Sequence, residues 1–322
     1  MPAGSALWRS EPWHAQATAF VDETLAARGL RRTGPLETIR VQPWSANLRF
    51  CYSGRSNGVG WYKANVTPNR FEADLISALA EHDDDRVAPH WAANDAGEFI
   101  SPDYGPVLGE VVAAQNLRRR WAAVLTRYAE LQVSVAQTGI VLPAPTYPPL
   151  LVADEFDSRT DDLVARDVVR AAAARLASGP VPLSIQHDDL HPWNVFLAAD
   201  TAEAVDGARF YDWGDSHFGH PFASTQVGLD QFDDDLAWPV GPEHEELLTA
   251  YLLPWRAYAD DATLRTLVND ALLVVPVSRA LSWERALVDL DPAETEWAQR
   301  PGRWLQMAID RAHIAAATPG GH

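Results

Sequence analysis

Two polar fragments set between apolar runs constrain this chain more than any other part of it. SIQHDDLHPWNVFL (184–197) and ARFYDWGD (208–215) carry His187, Asp188, Asp189, His191 and Asn194, then Asp212, 18 residues after Asn194. Polar groups among β-favouring apolar residues are costly unless hydrogen-bonded or ligated, so their presence there demands a reason. Two His four apart on a helix could chelate one metal ion. Pro192 and the flanking apolar runs instead predict a loop between two strands. In such a loop Asp189, Asn194 and, on the next strand, Asp212 can converge on one point. Oxygen donors of this kind suit Mg²⁺, which takes few protein ligands and fills its shell with water and phosphate oxygens.

A phosphate-handling site also needs a cation, and the basic residues single one out. The chain has 26 Lys and Arg, of which only Lys63 is a lysine. A compact ammonium on a flexible stem and a planar guanidinium fork are poorly exchangeable at a tight phosphate contact. A lone lysine in an arginine-using chain therefore marks a position where the point charge matters. Lys63 ends the β-like run VGWYKAN. Glu72 follows in the first turn of a predicted helix, RFEADLISALAEH, where it can hold the ammonium in place, with Asp74 as the second choice.

The rest of the chain frames these residues. A first helix is predicted over 11–28, stopping at Gly29, and an antiparallel meander over 37–65 from the runs LETIRVQ, NLRFCYS and VGWYKAN. One more strand, EFISP, precedes a Pro/Gly break near Gly105. Beyond it the pattern is mostly helical, with the Pro-rich stretch 142–151 read as a loop inside the second lobe.

HDDLHPWN followed by YDWGD resembles the HGDLHxxN and IDW(E/G)D signatures of the aminoglycoside phosphotransferase and choline kinase group, which has the protein-kinase-like fold. The resemblance implies an α+β, two-lobed fold: a β-rich nucleotide-binding N-lobe with its leading helix (1–105) and a mostly helical C-lobe with the catalytic loop and substrate pocket (106–322). It implies that Asp189 accepts the proton of the substrate hydroxyl, that Asn194 and Asp212 bind Mg²⁺, and that Lys63 contacts the α- and β-phosphates of ATP or GTP. Ser45 and Asn47, in the Gly-poor turn region PWSAN, are the expected counterparts of a phosphate-gripping loop. The sequence departs from the group at Asp188 and Trp193, which replace glycines, and at His220, which replaces an aspartate. Asp188 could raise the pKa of Asp189 by repulsion or face the substrate. His187, His191 and Asp215 are expected to brace the loops.

Charge and composition bound the partners. The formal charge is -18, with 44 acidic against 26 basic residues, which disfavours nucleic acid and anionic membrane surfaces. The single cysteine permits no internal disulfide, and neither an N-terminal apolar region nor a run of 18 apolar residues is present, so a cytoplasmic protein is expected. The expected function is transfer of a nucleotide γ-phosphate to a hydroxyl of a small acceptor. Asp230, Asp233, Asp234 and Glu284, with Trp283, are candidates to bind an aminoglycoside, an amino sugar or, through cation-π contact, a choline-like head group; a solvated acidic face is the competing explanation of these carboxylates. A neutral-sugar kinase of the same fold is the near alternative. Two readings of another class stay open: a metal-dependent phosphohydrolase built on His187, Asp188 and His191, and an inactive kinase-like binding protein.

Overall fold

The computed structural model describes residues 4–230, 238–291 and 294–318. After a short helix α1 (Ser5–Trp8), helix α2 (Glu11–Ala27) starts where the Ser10 side chain accepts from the Trp13 N–H. Trp13, Ala17, Val21 and Leu25 of α2 recur every four residues and are buried as one stripe. The stripe covers a six-stranded antiparallel sheet made of β1 (Leu30–Arg32), β2 (Glu37–Val41), β3 (Ser45–Gly54), β4 (Gly58–Asn65), β5 (Ala92–Ala93) and β6 (Phe99–Pro102). The order is β1-β3-β4-β6-β5, with β2 also pairing β3. Strand alternation sends Leu48, Phe50, Tyr62, Ala64 and Ile100 into this first core. Lys63 and Asn65 fall on the other face. Opposite Lys63 in register stand Asn47 on β3 and Phe99 on β6.

Helix α3 (Phe71–His82) lies at the boundary between the two cores. Ala73, Leu75, Ile76 and Leu79 join the larger, second core rather than the sheet's own. That core is built from α4 (Leu108–Val111), α5 (Ala114–Thr138), β7 (Thr146–Tyr147), α6 (Pro149–Asp157), α7 (Leu163–Ser178), β8 (Ser184–Gln186), β9 (Val195–Phe196), α8 (Ala202–Asp206), β10 (Arg209–Phe210), β11 (His217–Gly219), α9 (Thr225–Leu229), α10 (Glu245–Leu252), α11 (Asp261–Ala286) and α12 (Arg300–Ala317). Two small sheets, β10-β9 and β7-β11-β8, carry the loops of interest. The result is an α+β molecule with a β-rich lobe and a helical lobe.

Buried polar groups of α5 fix where the second sheet begins. Gln132 Nε2 donates to the Ile185 carbonyl (2.7 Å), Ser184 Oγ donates to the Gln132 carbonyl (2.7 Å), and Tyr128 Oη accepts from the His187 N–H (3.0 Å). Tyr251 Oη closes the network on Gln132 Oε1 (2.6 Å). Each of these groups finds a partner inside the core, which pins the start of the polar loop to a long helix.

The sequence reading missed β1 and β5, which are two or three residues long and make up for that by pairing with longer strands. The stretch 142–151 contains β7 and the start of α6. Ser45 and Asn47 belong to strand β3, and the turn before them is closed by the Gln42 N–H on the Ser45 carbonyl (2.8 Å). They are ladder residues, not loop residues. Among the described residues no helix is long and apolar enough to cross a membrane.

Candidate active site

Lys63 lies between two carboxylates. Its Nζ stands 2.8 Å from Glu72 Oε1 and 2.5 Å from Asp212 Oδ1. Glu72 is fully buried, and its second oxygen accepts from Asn65 Nδ2 (2.7 Å), two residues from Lys63 on the same strand face. Burial alone would lower the Lys63 pKa, but Asp212 and Glu72 outweigh it and hold the ammonium charged. Burial likewise lifts Asp212, while Lys63 pulls it below the usual carboxylate range. Gly214 closes the back of this triad. A Cβ there would lie 3.1 Å from Glu72 Oε2 and 3.6 Å from Lys63 Nζ, so any larger residue would push the Glu72 carboxylate back by a few tenths of an ångström.

The polar loop after β8 forms the second half. Asn194 ends a 3₁₀ turn (Pro192–Asn194), and its Nδ2 donates to the Asp189 carbonyl (2.9 Å) and to Asp189 Oδ2 (3.3 Å). His191 Nε2 stands 3.4 Å from the same carboxylate oxygen, and its Nδ1 accepts from the Trp193 N–H. Burial would raise Asp189, yet His191, Arg279 and His187 together hold it at about 2. His187 stands neutral: Nε2 donates to the Tyr211 carbonyl (2.8 Å), Nδ1 faces the Asp189 N–H, and burial keeps its pKa low. Asp212 adopts φ 65° and Asp188 φ 64°, the left-handed region that non-glycine residues enter at a cost.

That backbone geometry accounts for one departure from the group signature. Position 188 needs a positive φ, which glycine supplies freely and Asp tolerates better than most. The Asp188 side chain then turns inward, where Oδ2 accepts from His217 Nδ1 (2.9 Å) and Ser282 Oγ (3.2 Å). It is 2% exposed and does not face an open cleft. Against burial, His217, Arg279 and Arg285 hold its pKa down, and it is not among the groups that raise Asp189. Trp193, half exposed, packs on Gly109 of α4, where a Cβ would come within 2.6 Å of its ring.

Among the described residues, the other acceptor candidates are held by separate neighbours. Glu284 forms an ion pair with Arg159 (3.1 Å). Trp283 stacks on Trp297 (6.0 Å, 13°), receives the edge of Trp44 (5.4 Å), and already has the Arg300 guanidinium 5.6 Å from its ring. Its cation is one of the chain's own. Asp230 follows α9 as its C-cap, while Asp233 and Asp234 lie outside the described residues. Residues that sequence reasoning passed over also enter the site: Asn65 and Gly214 around the lysine, and Arg279 beside Asp215 (3.5 Å). The DWGD motif contained the Gly214 signal; nothing in sequence marked Arg279 in the middle of an apolar helix.

The donor set fits a hard divalent cation. Asn194 Oδ1 and Asp212 Oδ2 accept no hydrogen bond among the described residues, and both are oxygens on the loops that flank Asp189. Mg²⁺ accepts such a pair and completes its shell with water and phosphate oxygens.

No protein-family model and no curated protein matches the sequence. Solved structures do. A choline/ethanolamine kinase family protein from Mesorhizobium loti aligns over 94% of this chain and 96% of its own, with 17% identity and a TM-score of 0.56. The chain shares its two-lobed, kinase-like fold. A macrolide 2'-phosphotransferase type I gives a TM-score of 0.59 at 15% identity, covering 92% of this chain and 97% of the other. A macrolide 2'-phosphotransferase from Brachybacterium faecium gives 0.58 at 14%, covering 90% and 98%. The alignment thus spans both lobes of the kinase-like fold.

Proposed function

We propose that the chain is a Mg²⁺-dependent O-phosphotransferase that moves the γ-phosphate of ATP or GTP to a hydroxyl of a small molecule. The lobe through residue 105 would bind the nucleotide, and the remainder would supply the catalytic loop and acceptor site. The observation that carries this reading is the single lysine, held between Glu72 and Asp212, with Asp189 and Asn194 on the adjoining loop. The fold neighbours named above, choline/ethanolamine kinase and macrolide phosphotransferases, support it.

The residues divide the work as follows. Lys63, released in part from Asp212 when nucleotide enters, neutralises the phosphates while Glu72 keeps it oriented. Asn194 and Asp212 would hold Mg²⁺, which when bound would offset the charge on the transferred phosphate. Asp189 is ionised throughout the neutral range and accepts the O–H of the acceptor hydroxyl. The hydroxyl oxygen bonds to the γ-phosphorus as the bond to the β-γ bridging oxygen breaks. With so low a pKa Asp189 takes the proton late, so orientation is the larger part of its contribution. Asn194 and His191 fix the rotamer of that carboxylate.

A phosphohydrolase using His187, Asp188 and His191 is disfavoured by their geometry. Both ring nitrogens of His187 are engaged by the backbone, Asp188 turns to His217, and His191 turns to Asp189. An inactive binding protein is separated by turnover. The test is Mg²⁺-dependent phosphate transfer from ATP or GTP to small hydroxy compounds: transfer that vanishes in Asp189→Ala supports the reading, and nucleotide binding without any transfer would favour the inactive protein.

A further inference from the structure

Of the 13 tryptophans, 12 are buried or half-buried, and Trp193 alone is exposed, at 52%. It stands on the loop between Asp189 and Asn194, where the group signature has a glycine. An indole is the largest apolar surface a side chain can carry, so leaving one in water on this loop calls for a cause. The side chain is not loosely attached. The Trp193 N–H donates to His191 Nδ1 (3.2 Å), its carbonyl accepts from Tyr211 Oη (2.5 Å), and the residue sits inside the 3₁₀ turn Pro192–Asn194. Three of its ring atoms lie 2.6 to 2.9 Å from where a Cβ on Gly109 would stand, and near-equal distances to both atoms of the ring fusion place that contact over the face of the ring. Glycine at 109 therefore lets α4 cover one face of the indole, and the other face is open.

The open face adjoins the proposed base. The His191 ring is 6.2 Å from the Trp193 ring, and its Nε2 stands 3.4 Å from Asp189 Oδ2. The side chains of Asp212, Asp189 and His191 are 45%, 38% and 26% exposed, so an accessible strip runs from the proposed metal ligand past the base to the indole. Resting on the phosphotransferase reading, we infer that Trp193 selects the acceptor: a sugar ring lies with its apolar C–H face on the indole and turns a hydroxyl toward Asp189. A pyranose joins both requirements in one rigid body, because its axial hydrogens form a flat apolar face and its equatorial hydroxyls surround that face. An open-chain polyol has the same hydroxyls but must freeze several torsions to present them, which costs affinity. The carboxylates of Asp189 and Asp212, and the exposed Glu110 that follows Gly109, favour a neutral or amino sugar over an acidic one.

The test compares ring and open-chain partners of matched substitution, glucose with sorbitol and glucosamine with glucosaminitol. Binding to the full chain saturated with Mg²⁺ and a non-hydrolysable ATP analogue is measured by calorimetry, with a thermal melt of every variant. The ring is expected to bind at least about fivefold tighter than its open-chain partner in at least one pair. Trp193→Ala should weaken ring binding by about three- to tenfold and Trp193→Phe by much less, since a stacking face remains. Nucleotide affinity should stay within about twofold in both variants. Acrylamide quenching of the indole fluorescence gives a second readout: the accessible component should be lost in Trp193→Phe and shielded in the wild type by the bound ring. Rings that do not bind or bind no better than the open chains, an alanine variant with full ring affinity, or a loss that falls on the nucleotide instead would overturn the inference. Failure of the phosphotransferase reading shows separately, as absent Mg²⁺-dependent nucleotide binding by the wild-type chain.

Discussion

Asp212 and Lys63 are 149 residues apart in sequence and 2.5 Å apart in space, across the boundary between the two lobes. The carboxylate reaches the ammonium because its backbone turns through φ 65° immediately after β10, and Gly214 lets the segment lie against Glu72. The ion pair spans the position that Mg²⁺ and phosphate are proposed to share, so nucleotide binding is expected to exchange one partner of Lys63 for another. Lys63→Arg should therefore be severe although charge is kept: the wider fork cannot fit between Glu72 and Asp212. We expect kcat/KM for the nucleotide to fall about 10²-fold or more, on the scale of losing one preorganised donor to a developing charge. Steady-state kinetics with varied ATP check this; near-wild-type values would remove Lys63 from the nucleotide site.

Gly214→Ala probes the same triad from behind. Its Cβ would meet Glu72 Oε2 at 3.1 Å, so the carboxylate must yield by a few tenths of an ångström and carry Lys63 with it. The expected outcome is weaker Mg²⁺-nucleotide binding by about three- to tenfold, or about 1 kcal/mol, with the melting curve nearly unchanged. Titration calorimetry beside a thermal melt separates the two. A variant that melts early with normal nucleotide affinity would show that Gly214 serves packing alone.

Asp188 should matter for stability rather than for acceptor binding. Asp188→Ala leaves His217 Nδ1 and Ser282 without their partner and keeps a Cβ at φ 64°. We expect a loss of about 2 to 4 kcal/mol from the unpaired buried groups and the backbone together. Asp188→Gly relieves the backbone and should recover about 1 kcal/mol of that. Urea titrations give the ranking, and KM for the acceptor should stay within about threefold in the glycine variant. A large KM change there would return Asp188 to the substrate side.

Asp215 gives stability a pH dependence of definite sign. Burial, only partly offset by Arg279, raises its carboxyl to about 6. The unfolded chain ionises this group near the ordinary value, so between about pH 4 and 6 the native state holds the extra proton and rising pH favours unfolding. Relative to Asp215→Asn, the wild type should lose about 2 to 3 kcal/mol across that window and then level off. Urea melts at pH 4.5, 6 and 7.5 measure the difference. A difference that is flat, or that grows in favour of the wild type, would contradict this.

How much of this was legible beforehand follows from where each signal resides. The pairing of Lys63 with Glu72 could be anticipated because strand end and helix start are adjacent in sequence, and the unique lysine pointed to the strand. Asp189, Asn194 and Asp212 were marked by local motifs with apolar flanks, and the structure brings Asn194 onto Asp189. Tertiary packing determined what was hidden. Ser45 and Asn47 looked like turn residues because Pro43 precedes them, yet the β3–β4 ladder claims both. Glu284 and Trp283 looked like free acceptor contacts, but Arg159 and Arg300, distant or separated in sequence, occupy them. Arg279 had no pattern around it at all; only the missing hydrogen bonds mark it.

The most direct measurement of the central claim is phosphate transfer from Mg²⁺-ATP to a small hydroxy acceptor by the wild type and by Asp189→Ala, with nucleotide affinity determined for both. The account predicts transfer by the wild type, a loss of about 10² to 10⁴-fold in the variant, and nucleotide affinity within about threefold. A variant that transfers phosphate at the wild-type rate, or a wild type that binds no nucleotide in the presence of Mg²⁺, would contradict it.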